Sequence, residues 1–526
     1  MVRSALLLLA LSLAAPPALA QDPLDFGLSA EEAARSGPDG LSFREAYRRT
    51  LLYSAGANHV FQARVRILLE HEVARRRELG RLPEGELVSE AELQAALEQA
   101  REEMAKQDPE TPFWDRVALL GFSRERYLAN LRQTLLFDRL FLPDDPELWD
   151  EEIHGPVFGQ GEENGLWDSW IQRARDELRK KKEAGEETAL DPQLKQILFR
   201  PTAMRWLLQQ LPVVEPFQGL PEGVALKVGD VELRTEDLLR GMLEAIGPVE
   251  RERAAAWVHV TWALQERLQE EGVLLSPEEV LQKIAEERKE YERSPISYDQ
   301  VALQFLGFPS LELYHQYYRL RHSYRRLLPD PLPLETLEEH LRARELFLTN
   351  GKVQADVILC AAWDPLTRVF PKKGDPFAEA GERARAAAAE LAGGASFEEV
   401  LEKFSDYPEA WPNAAQGMPQ PRRGRLEPLT RNMLRSDFLG ESEYLDFLYG
   451  RSIGDHLFFE AETGVVYGPV RGPAGWYLYR LVRRDTSDAR PLDLEGNERH
   501  RYLVSDDYLT QRFLGFVAEA LDGQEG

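Results

Sequence analysis

Residues 463–482 read TGVVYGPVRGPAGWYLYRLV, and this stretch indicates the sheet on which the fold depends. Glycine and proline between Gly464 and Pro469 predict a turn, because both residues adopt turn conformations readily. The apolar and aromatic run from Gly475 to Val482 predicts a strand. A second run, VQADVILC at 353–360, predicts a buried strand more than a hundred residues earlier in the chain.

The residues between these two strands indicate helices followed by a loop. An alanine-rich segment predicts a helix over 376–391, and Ser396 is the predicted N-cap of a short helix over 397–404. A long, irregular, proline-containing stretch follows. Strand, helix, helix, loop and strand in this order are typical of an α+β domain with a small antiparallel sheet.

Ahead of this domain the chain is predominantly helical and contains a repeat. Two stretches carry amphipathic helices with a serine N-cap, a Leu-Gly-Phe turn and a Leu-Pro-Asp end. Four landmarks recur at a spacing of 186 or 187 residues, namely Ser89 and Ser276, Gly121 and Gly307, Tyr127 and Tyr314, and Pro143 and Pro329. The spacing predicts a duplicated helical module, and chance similarity between two generic helical stretches is the alternative.

Composition and linkers divide the chain into segments. A β-hairpin is predicted over 224–233, Asp330-Pro331-Leu332-Pro333 is the clearest linker, and an amphipathic helix is predicted over 499–521. The predicted fold class is mostly α with one α+β domain. The predicted segments are a signal peptide at 1–20, a helical module at 21–150, a charged, solvated helical spacer at 151–215, a second helical module with the hairpin at 216–335, the α+β domain at 336–486, and the C-terminal helix at 487–526.

The N-terminus has the features of an export signal. Arg3 precedes an apolar run over 5–15, and Ala18-Leu19-Ala20 forms an A-x-A cleavage site. The apolar run is too short to span a bilayer as a mature helix, and no later run approaches the ~18 residues that a span requires. We therefore expect a cleaved signal peptide and a soluble periplasmic protein; an N-terminal membrane anchor is the alternative.

Charge and cysteine content exclude several classes of function. The 526 residues are 43% hydrophobic and 29% charged, which is typical of a folded protein. Acids outnumber bases by 90 to 64, and the net charge of −26 argues against binding to nucleic acid or anionic lipid. Cys360 is the single cysteine, which excludes an internal disulfide and a cysteine-held metal cluster. Without a P-loop, an HExxH motif or a G-x-S-x-G motif, the sequence predicts no cofactor and no metal.

Aromatic residues are concentrated on the second helical module. Because they recur at helical spacing, we expect most of them in the core, with a groove for unfolded apolar segments as the alternative. These residues are Trp257, Trp262, Tyr314, Tyr317, Tyr318 and Tyr324.

Three stretches of the α+β domain carry a family resemblance. VQADVILC at 353–360, GASFEEVLEKFSD at 394–406 and the stretch at 463–482 resemble a parvulin-type peptidyl-prolyl isomerase domain over 350–485. The two helical modules resemble the chaperone domain of SurA-like periplasmic foldases, through the VGDVEL hairpin, the Ser-Pro-Glu-Glu helix start and the Gly-Phe turn. In that family a C-terminal helix returns to the helical part, and the resemblance implies this role for 499–521.

The resemblance also implies a site, from which this sequence departs. A parvulin holds proline in an apolar pocket beside a polar cluster, but Val357 and Tyr477 stand where the family usually has histidines. Tyr407 stands where a cysteine or an acid usually follows Ser-Asp. The predicted catalytic residues are Asp406, Tyr407 and Tyr477, and the predicted substrate-binding residues are Phe459 and Val357. Ordinary packing of both tyrosines is the alternative.

These observations predict an exported, ATP-independent folding factor of the parvulin family. It is expected to bind unfolded, nascent or outer-envelope polypeptides, with no nucleic acid partner and no membrane insertion. With the family's histidines absent, isomerase activity is expected to be weak or lost. An active peptidyl-prolyl isomerase and a non-catalytic envelope scaffold are the alternatives, and the oligomeric state stays open.

Overall fold

A computed structural model describes most of the chain. The described residues are 24, 26–107, 111–119, 123–162, 165–186, 188–243, 246–291, 294, 296–364, 369–407, 423–431, 439, 441–450 and 452–522. The predicted signal peptide at 1–20 and the repeat landmark Gly121 lie outside them. Two compact units are formed: one contains residues up to Ala57, 216–223 and residues from Thr235 onward, and the other contains 58–215 and 224–234.

Helices predominate, as the sequence predicts, and the strands form two small antiparallel sheets. The helices are α1 (Ala30–Ala34), α2 (Phe43–Ser54), α3 (Ala57–Glu78), α4 (Glu90–Gln107), α5 (Phe113–Leu119), α6 (Arg124–Phe141), α7 (Glu151–Phe158), α8 (Gln172–Ala184), α9 (Pro192–Leu194), α10 (Arg200–Leu207), α11 (Thr235–Arg240), α12 (Pro248–Glu270), α13 (Pro277–Tyr291), α14 (Tyr298–Gln300), α15 (Leu311–Arg325), α16 (Leu334–Ala343), α17 (Glu345–Leu348), α18 (Pro376–Ala392), α19 (Phe397–Phe404), α20 (Glu443–Tyr449), α21 (Ile453–Phe459) and α22 (Glu498–Asp522). The strands are β1 (Val213–Val214), β2 (Val224–Val228), β3 (Val231–Arg234), β4 (Lys352–Ala361), β5 (Arg425–Leu429), β6 (Val466–Gly472) and β7 (Gly475–Asp485).

The predicted repeat is matched by equivalent contacts inside each unit. Ser89 and Glu92 cap α4 reciprocally, and Glu92 also pairs with Arg139 near the end of α6. Residues 187 positions further along make the same three contacts around α13 and α15, namely Ser276, Glu279 and Arg326. Capping boxes and ion pairs of this kind fix how a helix begins and which neighbour it meets. The predicted domain boundaries stay predictions.

Residues 151–215 are not the solvated spacer that their charge suggested. Phe158, Trp167 and Phe199 are buried, and the Phe158 ring contacts the Phe199 ring at a centroid distance of 6.1 Å. The charged residues lie on the outer face of these helices, while apolar residues at helical spacing pack inward. The average charge of the segment was therefore a poor guide, because one face of its helices is apolar and lies in the core of the unit.

The α+β domain contains a four-stranded antiparallel sheet in the order β5-β4-β7-β6. Side chains alternate between its faces, so Val357 and Leu359 of β4 lie in one core, while Ile358 and Cys360 lie in the other. Helices α18 and α19 contribute to the Cys360 core, and α21 contributes to the Val357 core. The predicted α+β domain with a small antiparallel sheet is confirmed.

Two local predictions about this domain are wrong. The turn expected from Gly464 to Pro469 lies largely within β6, because residues from Val466 onward pair with β7 and the hairpin turns at Pro473-Ala474. The stretch expected to be an irregular loop contains β5, α20 and α21. Their contacts are made with residues far away in the chain, so local turn-forming residues were a poor guide.

The C-terminal helix returns to the helical part of its unit, as predicted. The Phe513 ring of α22 contacts the Tyr317 ring of α15 at 5.7 Å and the Tyr324 ring at 5.6 Å. The six aromatic residues of the second module are buried, which agrees with their interpretation as core. Among the described residues, no helix is long and apolar enough to cross a membrane.

Candidate functional site

The structure brings three of the predicted site residues into one buried core. Val357 on β4, Tyr407 just after α19 and Tyr477 on β7 all belong to the core that α21 covers. In the sheet, Val357 pairs with Tyr479, and Leu359 pairs with Tyr477. The order of strands and the alternation of side chains therefore place these residues on the same face.

The hydroxyl of Tyr477 is fully enclosed and already bonded. It donates to the carbonyl oxygen of Leu439 at 3.0 Å, and the Tyr477 side chain is 0% exposed. Burial, together with the Glu441 carboxylate, raises the pKa of Tyr477 well above its ordinary value. The hydroxyl is therefore neutral, and in this conformation a substrate amide has no access to it.

Asp406 is engaged on another side of the sheet. Its carboxylate accepts from the Ala361 N–H at 2.8 Å and pairs with Arg383 of α18 at 2.7 Å. Its own N–H donates to the carbonyl of Leu359 at 2.7 Å. Because α18 packs on the Cys360 core, these contacts hold the segment after α19 against the end of β4. The structure thus separates the Asp406 carboxylate from the core that holds the Tyr477 hydroxyl.

Phe459 lies at the margin of the Val357 core. Its half-buried ring contacts the Phe347 ring at 6.5 Å, and the Arg344 guanidinium lies 4.1 Å from the ring centroid. Phe459 therefore packs against α17 and a cation. Its predicted role in holding a proline, like that of Val357, stays a prediction.

A buried polar cluster next to Tyr477 was not predicted from the sequence. Arg431 Nε lies 2.9 Å from Asp455 and its Nη1 lies 3.1 Å from Glu441, with the side chains of Arg431 and Glu441 almost wholly buried. The Gly454 N–H at the start of α21 donates to Glu441 at 3.2 Å. Neighbouring carboxylates raise the pKa of Arg431 despite its burial, so the guanidinium stays charged. No spacing in the sequence signals this cluster, because its members come from separate elements.

Helix α20, which follows Glu441 in the chain, packs in the aromatic core of the helical part. Tyr444 and Phe447 of α20 contact the Trp257 ring at 5.6 and 5.3 Å, and the Phe447 ring stacks on Phe513 at 6.0 Å. The Tyr317 hydroxyl donates to the Glu443 carboxylate. Helix α20 therefore links the α+β domain to α12, α15 and α22.

An open groove of about 450 Å³ lies at the end of the sheet near β5. Its wall includes Asp356, Arg425, Glu427 and Arg480, and Arg480 donates twice to Asp356, at 2.8 and 2.7 Å. This charged lining is suited to polar groups and not to an apolar proline ring. Among the described residues, no group of three or more His, Cys, Asp or Glu side chains is arranged to hold a metal ion.

Comparison with known proteins gives distant structural matches. The chain is similar to peptidylprolyl isomerase (PrsA) from Bacillus anthracis, with 14% identity over 51% of this chain and 94% of that chain, at a TM-score of 0.20. It is similar to peptidylprolyl isomerase (PrsA) from Bacillus cereus, with 13% identity over 55% and 86% of the two chains and a TM-score of 0.19. It is also similar to PrsA from Bacillus subtilis, with 15% identity over 55% and 88% and a TM-score of 0.15.

Two of these proteins are named as peptidylprolyl isomerases, the class to which the sequence resemblance points. No protein-family model and no curated protein sequence matches the chain. Superpositions with TM-scores of 0.15 to 0.20 carry no weight for function.

Proposed function

We propose that this protein is an exported, ATP-independent folding factor of the parvulin class that binds unfolded envelope polypeptides and has lost most or all isomerase activity. The observation that carries the proposal is the enclosed Tyr477 hydroxyl, bonded to Leu439 in the core where the resemblance places the catalytic cluster. A parvulin-like domain with such a closed site is suited to support binding more than catalysis.

Loss of catalysis follows from what the site residues already bond. An isomerase must offer polar groups to an amide as it twists about the X–Pro bond, which otherwise exchanges over tens of seconds or more. The Tyr477 hydroxyl is bonded to the Leu439 carbonyl, and the Asp406 carboxylate is bonded to the Ala361 N–H. The two polar groups lie on different sides of the sheet. The buried Val357 stands where the family has a histidine and offers no polar group.

Binding of unfolded chains is supported by apolar side chains that project into solvent. Each of the three π-helical segments in the described residues carries at least one: Trp170 in 167–171, Ile197 in 195–199, and Leu303 and Phe305 in 301–305. A π-helical turn has one extra residue, so it shifts the side-chain register and turns an apolar side chain away from the core. Ile197 is 77% exposed and Phe305 is 61% exposed.

The N-terminal sequence and the charge support the location and the partner class. The apolar run at 5–15 and the A-x-A site predict export to a compartment without ATP. A net charge of −26 disfavours nucleic acid and anionic membranes as partners. Apolar segments of unfolded proteins remain the partner that the exposed side chains suit.

The proposal is tested by refolding a protein whose slow step is cis-proline isomerisation, with and without residues 21–526. We expect a higher yield of refolded protein at an unchanged rate of the slow phase. A faster slow phase would show an active isomerase instead, and no change in yield or rate would favour a scaffold.

Paired variants test whether exposed apolar side chains in each unit bind unfolded chains. Phe305→Ser and Ile197→Ser remove exposed apolar side chains, and Gln304→Ser and Gln196→Ser change their exposed polar neighbours in the same π-helical segments. We expect the first pair to lower the refolding yield toward that of the unassisted reaction. The control pair should leave the yield unchanged; an equal loss in both pairs would mean that the apolar side chains do not carry binding.

A further inference from the structure

One segment of the chain contacts the site at its first residues and the helical core at its last residues. We call Leu439 and residues 441–450 the α20 strap. We propose that the α20 strap is a two-state closure of this site, in which docking of α20 in the helical core and enclosure of Tyr477 are a single event. The inference rests on the proposed function only in taking Tyr477 as a member of the ancestral proline site.

At the site end, the α20 strap is held by neutral and charged contacts. Leu439 is buried, and its carbonyl oxygen accepts from Tyr477 at 3.0 Å. Glu441 pairs with the buried Arg431 at 3.1 Å and accepts from the Gly454 N–H at 3.2 Å. If these contacts open, the Tyr477 hydroxyl loses its acceptor on Leu439, and α21 loses the carboxylate at its N-terminal turn, where a negative charge is favourable.

At the other end, the α20 strap completes an aromatic cluster. Phe447 is fully buried and contacts Trp257, Tyr317 and Phe513, which come from three different helices. The backbone joins this end too, because the Tyr444 N–H donates to the Leu306 carbonyl at 3.3 Å. Buried aromatic side chains contribute strongly to packing, so the cluster is a firm anchor.

The two ends are close enough in sequence to be coupled mechanically. Only Ser442, the N-cap of α20, separates Glu441 from Glu443, and Glu443 accepts from the Tyr317 hydroxyl. A shift of α20 out of the aromatic cluster therefore pulls directly on Glu441 and Leu439. Packed cores change between discrete arrangements more readily than they deform continuously, which favours a two-state closure.

The test uses the mature chain, residues 21–526, and two substitutions that act at opposite ends. Phe447→Ala weakens the helical anchor, and Glu441→Gln weakens the site anchor. Coupling is reciprocal, so each substitution must affect the other end. Hydrogen exchange should become at least tenfold faster at the Gly454 amide in F447A and at the α20 amides in E441Q.

Exposure of Tyr477 is measured separately by nitration of tyrosine, followed by mass spectrometry. We expect Tyr477 to be protected in the wild type and modified in F447A. The matched control is Phe199→Ala, which removes an equally buried ring in the other unit. If F447A proves too unstable to fold, Tyr317→Phe removes only the hydroxyl that bonds Glu443 and serves as the milder variant.

Substitutions whose effects stay at their own end of the α20 strap would overturn the proposal. So would rapid exchange in α20 while Tyr477 remains unmodified. Both readouts are made without any client protein, so they stand whether or not the wild type assists refolding. Failure of the closure and failure of the proposed folding activity are therefore distinguishable.

Discussion

The hydroxyl of Tyr477 donates to the carbonyl oxygen of Leu439 at 3.0 Å, within a core that excludes both groups from solvent. This bond satisfies a buried donor and a buried acceptor at once. It also occupies the hydroxyl at the position where the resemblance places a catalytic histidine. The same contact therefore accounts for a stable core and for the expected loss of catalysis.

Tyr477→Phe tests whether this hydroxyl is structural. The substitution leaves the Leu439 carbonyl buried without its donor, which should lower the free energy of unfolding by about 1–3 kcal/mol. We expect no change in the rate of a cis-proline-limited refolding step. Urea unfolding measures the change in stability, and refolding of a client protein limited by cis-proline isomerisation measures the rate. Tyr502→Phe is the control, because the Tyr502 side chain is 73% exposed. If the client protein refolds ten times more slowly with Y477F than with the wild type, Tyr477 is a catalytic residue after all.

Asp406→Asn makes the same distinction on the other side of the sheet. The amide can still accept from the Ala361 N–H, but the ion pair with the partly exposed Arg383 is lost. Because such pairs are well solvated, the free energy of unfolding should fall by about 0.2–1 kcal/mol. Any measured isomerase rate should stay unchanged. A rate loss of tenfold or more, with unaltered stability, would support the predicted catalytic role.

Local patterns in the sequence were sufficient for the elements that surround the site. The predicted helix over 397–404 is α19 to the residue, and the predicted strand at 353–360 differs from β4 by one residue at each end. In both cases the signals are local, because a serine cap and a run of β-branched residues act within a few positions.

The remaining elements could not be predicted because their stability comes from distant residues. Strand β5 (RLEPL) contains a proline and two charged residues, which give no strand signal, yet it pairs with β4. Helix α20 is short, and Phe447 is buried by Trp257 and Phe513, which lie far away in the sequence. Short helices gain most of their stability from such packing. Likewise, the sequence placed Tyr407 just after a predicted helix and Tyr477 near the start of a predicted strand, but the enclosure of Tyr477 by Leu439 had no local signal.

The buried His154 makes a prediction about pH. Its Nε2 lies 2.9 Å from the Leu140 carbonyl oxygen, and its Nδ1 lies 3.0 Å from the Asp150 N–H and 3.1 Å from the Asp150 carbonyl oxygen. The neutral ring donates from Nε2 to Leu140 and accepts at Nδ1 from the Asp150 N–H. Burial, together with the charge of Arg76, lowers the pKa of His154 to about 4. The unfolded chain has a histidine pKa of about 6.5, so below that pH the unfolded state binds more protons than the folded state.

Stability should therefore fall as the pH drops from about 6.5 toward 4, with a contribution from His154 of about 3 kcal/mol at the lower limit. Unfolding by urea at several pH values measures the slope. His154→Gln keeps a donor for Leu140 but does not titrate, so its stability should depend less on pH over this range. Identical slopes in the two proteins would show that folding does not lower the pKa of His154.

The Arg431 cluster predicts a large effect of a single charge on stability. Arg431→Met leaves Glu441 and Asp455 without their cation in a buried site, and removal of one partner from a buried ion pair costs about 3–5 kcal/mol. Arg385→Met is the matched control, because Arg385 pairs with Glu382 on the exposed side of α18. That variant should lose less than about 1 kcal/mol.

Urea unfolding of the two variants and of the double variant R431M/E441Q separates the burial of charge from the loss of contacts. If the unpaired carboxylates cause the instability, E441Q should recover part of the loss in the R431M background, because it removes one uncompensated buried charge. In the wild-type background E441Q should destabilise instead, since Arg431 then loses one of its two carboxylate partners. Additive losses in the double variant would mean that Arg431 stabilises the fold through packing of its side chain and not through its charge.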